Sequence, residues 1–180
     1  MDEIKRIGRE LVRNCKIFDY YQDTMAIPND NVVKFDHIDH KGAAAVFPVL
    51  DDGRIIMVRQ FRNSIDRHTW EIPAGGLNSR EEPTIEAARR ELEEETGYTT
   101  EKELELLITI NTTPAFCNEK IDIYVATDLK PGEQHLDEDE VLSYRAFTVD
   151  EVKEMILSGK MTDAKTISAV MSYAAKYLEK

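Results

Sequence analysis

Residues 76–98 read GLNSREEPTIEAARRELEEETGY, a segment that joins a glycine turn to a helix carrying a row of acids. Because a helix advances about 100° per residue, Glu91, Glu94 and Glu95 are expected on one face of it. Gly97 follows as the expected C′ residue, where a left-handed backbone ends a helix. The side that packs on the core is predicted by the apolar residues beside the acidic face, namely Ile85, Ala88 and Leu92.

The acidic face favours a metal site over a plain solvated surface. Glu91 and Glu95 are like charges at four-residue spacing, and acids at the negative end of the helix dipole each cost roughly 0.3–1 kcal/mol. A bound divalent cation removes both penalties, because hard cations prefer clustered carboxylate oxygens. The alternative is a charged surface helix, in which Arg90 pairs with Glu86 and Glu94.

Composition and charge narrow the class of protein. The chain has 180 residues, 42% of them hydrophobic, and a formal net charge of −12, as expected of one globular domain with a small accessory element. Such a charge, without a tract rich in Lys and Arg, argues against nucleic-acid binding, and no apolar run is long enough to span a membrane. With only two cysteines and no secretory signal, a cytoplasmic location is expected.

The rest of the chain predicts a mixed order of strands and helices, and therefore layered α/β packing. Residues 1–14 are expected to form a short charged helix or a loose arm, and residues 16–35 two strands joined by a turn at residues 28–31. Pro83 is expected at the first position of the acidic helix. Further strands are predicted at residues 43–50, 55–61, 104–112, 120–129 and 143–147, and residues 70–76 are predicted to be a short strand that breaks into a glycine turn. Two more helices are predicted at residues 148–159 and 162–178, the last with an apolar stripe of Ile167, Val170, Met171, Ala174 and Leu178.

The acidic segment resembles the Nudix box, a pattern of glycines, glutamates and one arginine at fixed spacing. The matching residues here are Gly76, Glu82, Arg90, Glu91, Leu92, Glu94, Glu95 and Gly97, while Tyr98 departs mildly from the aliphatic residue of the pattern. Gly75 with Glu81 also fits the first half, although Arg90 then falls one residue late. By this resemblance the chain is identified as a member of the Nudix hydrolase family.

The resemblance implies a metal cofactor and a set of catalytic groups. The cofactor would be Mg²⁺, for which Mn²⁺ can substitute, held by Glu91, Glu94 and Glu95 with a backbone carbonyl of Ala74 or Gly75. Glu94 and Arg90 are counted among the catalytic residues, because Arg90 would orient the glutamates by charge-assisted hydrogen bonds. The segment LDEDE at residues 136–140 resembles the loop that supplies the general base, with Glu140 as the first candidate and Glu138 as the second.

Segments outside the box resemble the ADP-ribose pyrophosphatase branch of that family. VRQFR at residues 58–62 and EIPAG at residues 71–75 imply that Arg62 and Glu71 contact the substrate. Pro114 and residues 163–166 also match the branch. The alternative for Arg62 is an ion pair with a surface acid.

The fold implied is a Nudix α/β/α sandwich with a mixed sheet over residues 41–180, preceded by a helix/β element over residues 1–40. In relatives that element is a small antiparallel β-domain exchanged between two subunits, so a homodimer is expected. The reaction implied is Mg²⁺-dependent hydrolysis of ADP-ribose to AMP and ribose 5-phosphate. The expected partner is therefore a small nucleotide, with neither nucleic acid nor a membrane involved.

Three other functions stay open. Another nucleotide sugar such as GDP-mannose, or a dinucleotide, would use the same architecture. A sanitiser of oxidised nucleoside triphosphates is disfavoured by Arg62 and by the N-terminal strands. A non-catalytic domain that senses a nucleotide would commonly have lost box glutamates, all of which are present here.

Overall fold

The computed structural model of the protein describes residues 3–28, 31–136 and 141–179. The chain forms two compact units. The smaller comprises Met1–Gly42 with Asn111–Lys120, and the larger comprises Ala43–Ile110 with Ile121–Lys180. Within the described ranges, no helix is both long and apolar enough to cross a membrane.

The smaller unit contains an antiparallel sheet of three long strands with the second strand in the middle, namely β1 (Lys5–Asn14), β2 (Phe18–Ile27) and β3 (Asn31–His40). The two strands expected over residues 16–35 are β2 and β3. The turn predicted between them includes residues 29 and 30, which lie outside the described residues.

The helix or loose arm expected over residues 1–14 is wrong. β1 pairs with β2 from Lys5 to Asn14, so its backbone groups are satisfied by a neighbouring strand. Hydrogen bonding to the exposed edge of a neighbouring strand stabilises the extended backbone more than local helix propensity disfavours it. Arg9 adds a side-chain tie, because its guanidinium donates to both carboxylate oxygens of buried Asp23 at 2.6 and 2.7 Å.

The larger unit contains two main sheets. The mixed sheet has the order β7-β4-β10-β9, with β4 parallel to β10 and antiparallel to β7. The antiparallel sheet has the order β12-β5-β6, and the short strands β8 and β11 pair separately. The bounds of these strands are β4 Ala43–Pro48, β5 Ile55–Arg62, β6 Arg67–Glu71, β7 Ala74–Gly76, β8 Tyr98–Thr99, β9 Glu105–Asn111, β10 Lys120–Ala126, β11 Lys130–Pro131 and β12 Leu142–Phe147.

Three helices complete the larger unit: α1 (Thr84–Thr96), α2 (Val149–Leu157) and α3 (Ala164–Tyr173), the last continued by a π-helical turn over Ala174–Leu178. Pro83 has an extended backbone and is the N-cap of α1, one position earlier than predicted. Gly97 ends α1 in the left-handed conformation, with φ of 73°, as predicted. Thr148 and Glu151 form a capping box at the start of α2.

Alternating residues of β4 place helices on both faces of the mixed sheet. Ala44 and Val46 pack in one apolar cluster with Leu92 of α1. Ala45 and Phe47 pack in another cluster, with side chains from α2 and α3 such as Val152, Ala169 and Val170. This arrangement confirms the expected α/β/α layering with a mixed sheet.

The apolar stripe predicted for the last helix is partly wrong. Met171 and Leu178 are exposed, whereas Tyr173 and Tyr177 pack against the core cluster. A π-helical turn bonds residues five apart, so it shifts the phase of the side chains that follow. Leu178 closes such a turn and therefore leaves the stripe that a regular α-helix would give.

Candidate active site

The acids of α1 lie at the buried edge of the helix, beside β7. Glu91 and Glu95 are 6% and 2% exposed, and Glu94 between them is partly exposed. Glu95 accepts a hydrogen bond from the backbone N–H of Ala74 at 3.1 Å. The shared face predicted from helical spacing therefore faces strand β7.

Gly75 is needed for its size at this contact. A Cβ added to Gly75 would lie 2.1 Å from the nearer carboxylate oxygen of Glu91, far inside van der Waals contact. Gly75 is not among the glycines with positive φ, so close approach rather than backbone conformation requires it. The carboxylate of Glu91 thus occupies the space that any other side chain at position 75 would fill.

Arg90 connects these acids to the end of β7. Its Nη1 donates to Glu91 at 2.6 Å and to Glu94 at 3.1 Å, and its Nη2 donates to the carbonyl of Gly76 at 3.2 Å. Glu82 is the acid on its other side, 3.6 Å from Nε. This contact favours the register of Gly76 with Glu82, and the hydrogen bonds place Arg90 beside the glutamates that it was predicted to orient.

The oxygen donors of α1 suit a hard divalent cation. Among the described residues, no group of three or more His, Cys, Asp or Glu side chains is arranged to hold a metal ion. Mg²⁺ does not need one, because it usually keeps several waters and binds through one or two carboxylates plus substrate phosphates. The donors available in this region are carboxylates and backbone carbonyls, the oxygen ligands that Mg²⁺ accepts.

Arg62 and Glu71 form a paired unit on neighbouring strands. Arg62 donates from Nε and Nη2 to the two carboxylate oxygens of Glu71, at 2.9 and 2.6 Å. Glu71 is 2% exposed and also accepts from Thr69 and Lys165, whereas the Arg62 side chain is 39% exposed. Arg62 is thus paired with a buried acid rather than with the surface acid of the alternative. Glu71 supports Arg62 from the interior side of the pair.

Electrostatics tie this pair to the acidic helix. Burial alone would raise the pKa of Glu71, but Arg62 and Lys165 outweigh it and lower that pKa to about 2. The pKa of Arg62 is raised chiefly by Glu71, with further contributions from the charges of Asp163 and Glu95. Arg62 therefore lies within electrostatic reach of an acid on α1.

The depressed pKa of Glu71 predicts acid sensitivity of the fold. A carboxyl whose pKa falls from 4.5 to about 2 on folding stabilises the protein above pH 4.5 and loses that contribution as the pH falls toward 2. The complete loss, reached below pH 2, is about 3 kcal/mol in the free energy of unfolding, of which about 2 kcal/mol is expected between pH 6 and pH 3. Urea unfolding of wild type and Glu71→Gln at pH 6 and pH 3 measures it. Asp51→Asn, at an exposed acid in the turn between β4 and β5, is the control that should keep the wild-type pH dependence. The same dependence in Glu71→Gln as in wild type would contradict the assignment.

The two candidates for the general base, Glu138 and Glu140, lie outside the described residues. Residues on either side of this acidic segment form backbone hydrogen bonds or strand pairs with residues near the site. The backbone N–H of His135 donates to the carbonyl of Glu94 at 3.0 Å. On the other side, Leu142 pairs with Gln60, two residues before Arg62 on β5.

Two residues near the site have no role in the sequence-based prediction. Lys165 contacts Glu71, and the side chain of Gln134 donates to the carbonyl of Glu95 at 2.5 Å. A signal for Lys165 exists, because it stands one helical turn before buried Ala169, and a lysine on a buried stripe indicates a paired internal cation. Gln134 lies in a loop and carries no comparable signal.

Comparisons with known proteins give matches over most of the chain. The model of the NUDIX domain matches residues 39–170. An ADP-ribose pyrophosphatase of Bacillus subtilis (strain 168) is 39% identical over 179 residues, covering 98% of this chain and 93% of the relative. A methanol dehydrogenase activator of Bacillus methanolicus is 38% identical over 170 residues, covering 93% of this chain and 91% of the relative. The crystal structure of an ADP compounds hydrolase aligns with a TM-score of 0.83 at 20% identity, covering 99% of this chain and 97% of that chain, and so supports the fold.

Proposed function

The chain belongs to the NUDIX family, and from that membership we propose that it hydrolyses the pyrophosphate bond of ADP-ribose to AMP and ribose 5-phosphate. The near full-length similarity to an ADP-ribose pyrophosphatase supports this substrate. The observation that carries the proposal is the contact of Glu91 and Glu95 with Ala74 and Gly75 of β7, where Arg90 also joins Glu91 to the carbonyl of Gly76.

Members of the family use a divalent metal ion, and we propose Mg²⁺, with Mn²⁺ as a substitute. The residues that would hold it are Glu91, Glu94 and Glu95, with a backbone carbonyl of Ala74 or Gly75. When bound, the ion neutralises charge on the pyrophosphate and lowers the pKa of a coordinated water.

The protein's own residues would position the metal-binding carboxylates, bind a phosphate and accept a proton. Arg90 fixes the carboxylates of Glu91 and Glu94 through hydrogen bonds from one nitrogen. Arg62 presents a partly exposed guanidinium, whose forked donors match phosphate oxygens. Glu140, or else Glu138, would take the proton of the attacking water, which is the step that a general base contributes.

A turnover panel with Mg²⁺ tests the substrate. It compares kcat/KM for ADP-ribose, GDP-mannose, UDP-glucose, a diadenosine polyphosphate and a nucleoside triphosphate. ADP-ribose is expected to give the highest value. A higher value for GDP-mannose or the dinucleotide would keep the hydrolytic chemistry and overturn the substrate. Tight nucleotide binding without any turnover would favour the sensor alternative.

Gly75→Ala is expected to lower kcat/KM by about 10²-fold, because a displacement of about 1 Å in a catalytic group has an effect of that size. The new methyl group must push the carboxylate of Glu91 away from the turn. The matched control is Gly76→Ala, since an added Cβ there meets nothing within 4 Å. Equal losses in both variants would contradict the role of the Gly75–Glu91 contact.

We propose that the protein is a homodimer and that the smaller unit provides the interface. The residue range of this unit largely agrees with the element predicted over residues 1–40. Two copies would bury apolar side chains that a single chain leaves in water. The exposed large apolar residues of this unit's N-terminal part are Ile4, Ile7, Leu11, Val12, Ile17, Val32 and Phe35.

Sedimentation at micromolar concentration should therefore give a dimer. Phe35→Asp should shift the distribution toward monomer, because a charge would replace an apolar contact. Leu157→Asp is the control, since Leu157 is an exposed apolar residue of α2 in the larger unit. A monomeric wild type, or equal effects of both variants, would contradict this interface.

We also propose a cytoplasmic location. Cys15 and Cys117 are both free thiols, as suits a reducing compartment. Cell fractionation with an antibody against the chain would test it, and recovery in a secreted or membrane fraction would contradict it.

A further inference from the structure

We propose that Lys165 is a positioning residue that holds Arg62 at the substrate through Glu71, and that it thereby sets substrate affinity. This inference rests on the proposed function, because it takes Arg62 as a substrate contact. The residues that carry it are Lys165 at the start of α3, Glu71 at the end of β6 and Arg62 at the end of β5.

Lys165 is a buried cation with two acidic partners. Its side chain is 9% exposed, and its Nζ contacts Glu71 Oε2 and lies 3.1 Å from Asp163 Oδ1. A buried charge is tolerated only when it is paired and hydrogen-bonded. Lys165 and Glu71 are therefore fixed against each other.

The first turn of α3 anchors Lys165 to the rest of the site. Asp163 is the N-cap of α3 and accepts from the backbone N–H and the hydroxyl of Thr166, at 2.9 and 2.6 Å. The same hydroxyl accepts from the backbone N–H of Ile72 at 2.9 Å. Ile72 directly follows β6, so α3 and the strand that carries Glu71 are joined by this turn.

Glu71 binds one edge of the Arg62 guanidinium and thereby fixes its orientation. A guanidinium has five N–H donors, and Glu71 accepts from Nε and from Nη2. The donors on Nη1 and the second one on Nη2 face away from Glu71, as bidentate binding of a phosphate requires. Thr69 and Lys165 hold the carboxylate of Glu71, which in turn fixes the plane of the guanidinium. An arginine held in advance loses less side-chain freedom when it binds its ligand.

A double-variant cycle tests whether Lys165 acts through Arg62. Lys165→Met is expected to raise KM for ADP-ribose about tenfold, with kcat within about twofold of wild type. Arg62→Ala should raise KM by at least as much. If Lys165 acts through Arg62, the Arg62→Ala/Lys165→Met protein should match the Arg62→Ala protein, because coupled effects do not add. Effects that multiply in the double variant, or a fall in kcat alone, would overturn the proposal.

Lys153→Met is the matched control for loss of a lysine. Lys153 lies on α2 and pairs with Glu179, so KM and kcat should stay at the wild-type values. Thermal unfolding of each variant, followed by circular dichroism, shows whether the proteins compared are folded. A tenfold rise of KM in the control would also overturn the assignment to Lys165.

Hydrogen exchange at Arg62 separates this inference from the proposed function, since it needs no substrate. The Nε proton of Arg62 is expected to exchange slowly with water in the wild type, because Glu71 holds it, and at least tenfold faster in Lys165→Met. A wild type that does not cleave ADP-ribose would overturn the proposed function alone. Unchanged exchange in Lys165→Met would overturn the positioning role, whatever the substrate.

Discussion

Glu95→Gln is expected to lower kcat/KM for ADP-ribose by about 10³-fold or more. Glutamine keeps the volume of the side chain and an oxygen that can accept from Ala74, so the fold should survive. It removes the charge with which Glu95 is proposed to hold the metal ion, and a metal ion contributes several kcal/mol to charge stabilisation in the transition state. Each 1.36 kcal/mol corresponds to about tenfold in rate.

Glu93→Gln is the matched control for this substitution. Glu93 lies two residues away on α1 but is exposed, so its loss should leave turnover close to the wild-type value. A large residual activity in Glu95→Gln would move the metal to other ligands. Equal losses in the two variants would mean that the overall charge of the helix, rather than its buried edge, matters.

Glu140→Gln should lower kcat by roughly 10²–10⁴-fold if Glu140 is the general base, with little change in substrate affinity. The residues on both sides of the acidic segment support this proposal. His135 is hydrogen-bonded to the carbonyl of Glu94, and Leu142 pairs with Gln60 on the strand of Arg62. The measurement is single-turnover hydrolysis at saturating ADP-ribose and Mg²⁺, which separates the chemical step from binding.

Glu138→Gln serves as the comparison, because both acids lie in the same segment and carry the same charge. A loss in Glu138→Gln with an unchanged Glu140→Gln would exchange the two roles. Unchanged rates in both would place the base outside residues 137–140.

Local periodicity predicted the acidic helix well. The end of α1 at Gly97 and the common face of Glu91 and Glu95 depend on residues within one or two turns, so the sequence contains the needed information. The box pattern added Arg90, whose contacts lie within α1 or at Gly76, the last residue of β7. This part of the site could therefore be derived before any coordinates.

Features that depend on distant residues were not predictable in the same way. β1 forms because the edge of β2 has backbone groups free to pair with it. No pattern within residues 1–14 predicts this strand pairing. The contact of Glu71 with Lys165 joins residues 94 positions apart in the chain, so spacing cannot show it. Arg62 was predicted as a substrate contact from the resemblance alone. Only the packed structure shows that Arg62 is bound to buried Glu71, which is bound in turn to buried Lys165.

The most direct test of the central claim is hydrolysis of ADP-ribose in ¹⁸O-labelled water with Mg²⁺, followed by mass spectrometry of the products. Attack of water on the pyrophosphate should give AMP and ribose 5-phosphate in equal amounts, with one ¹⁸O in the phosphate of one of them. The release of ADP and free ribose would mean that the phosphoester bond to the terminal ribose, not the pyrophosphate, is cut. Either that result or binding without cleavage would contradict the account.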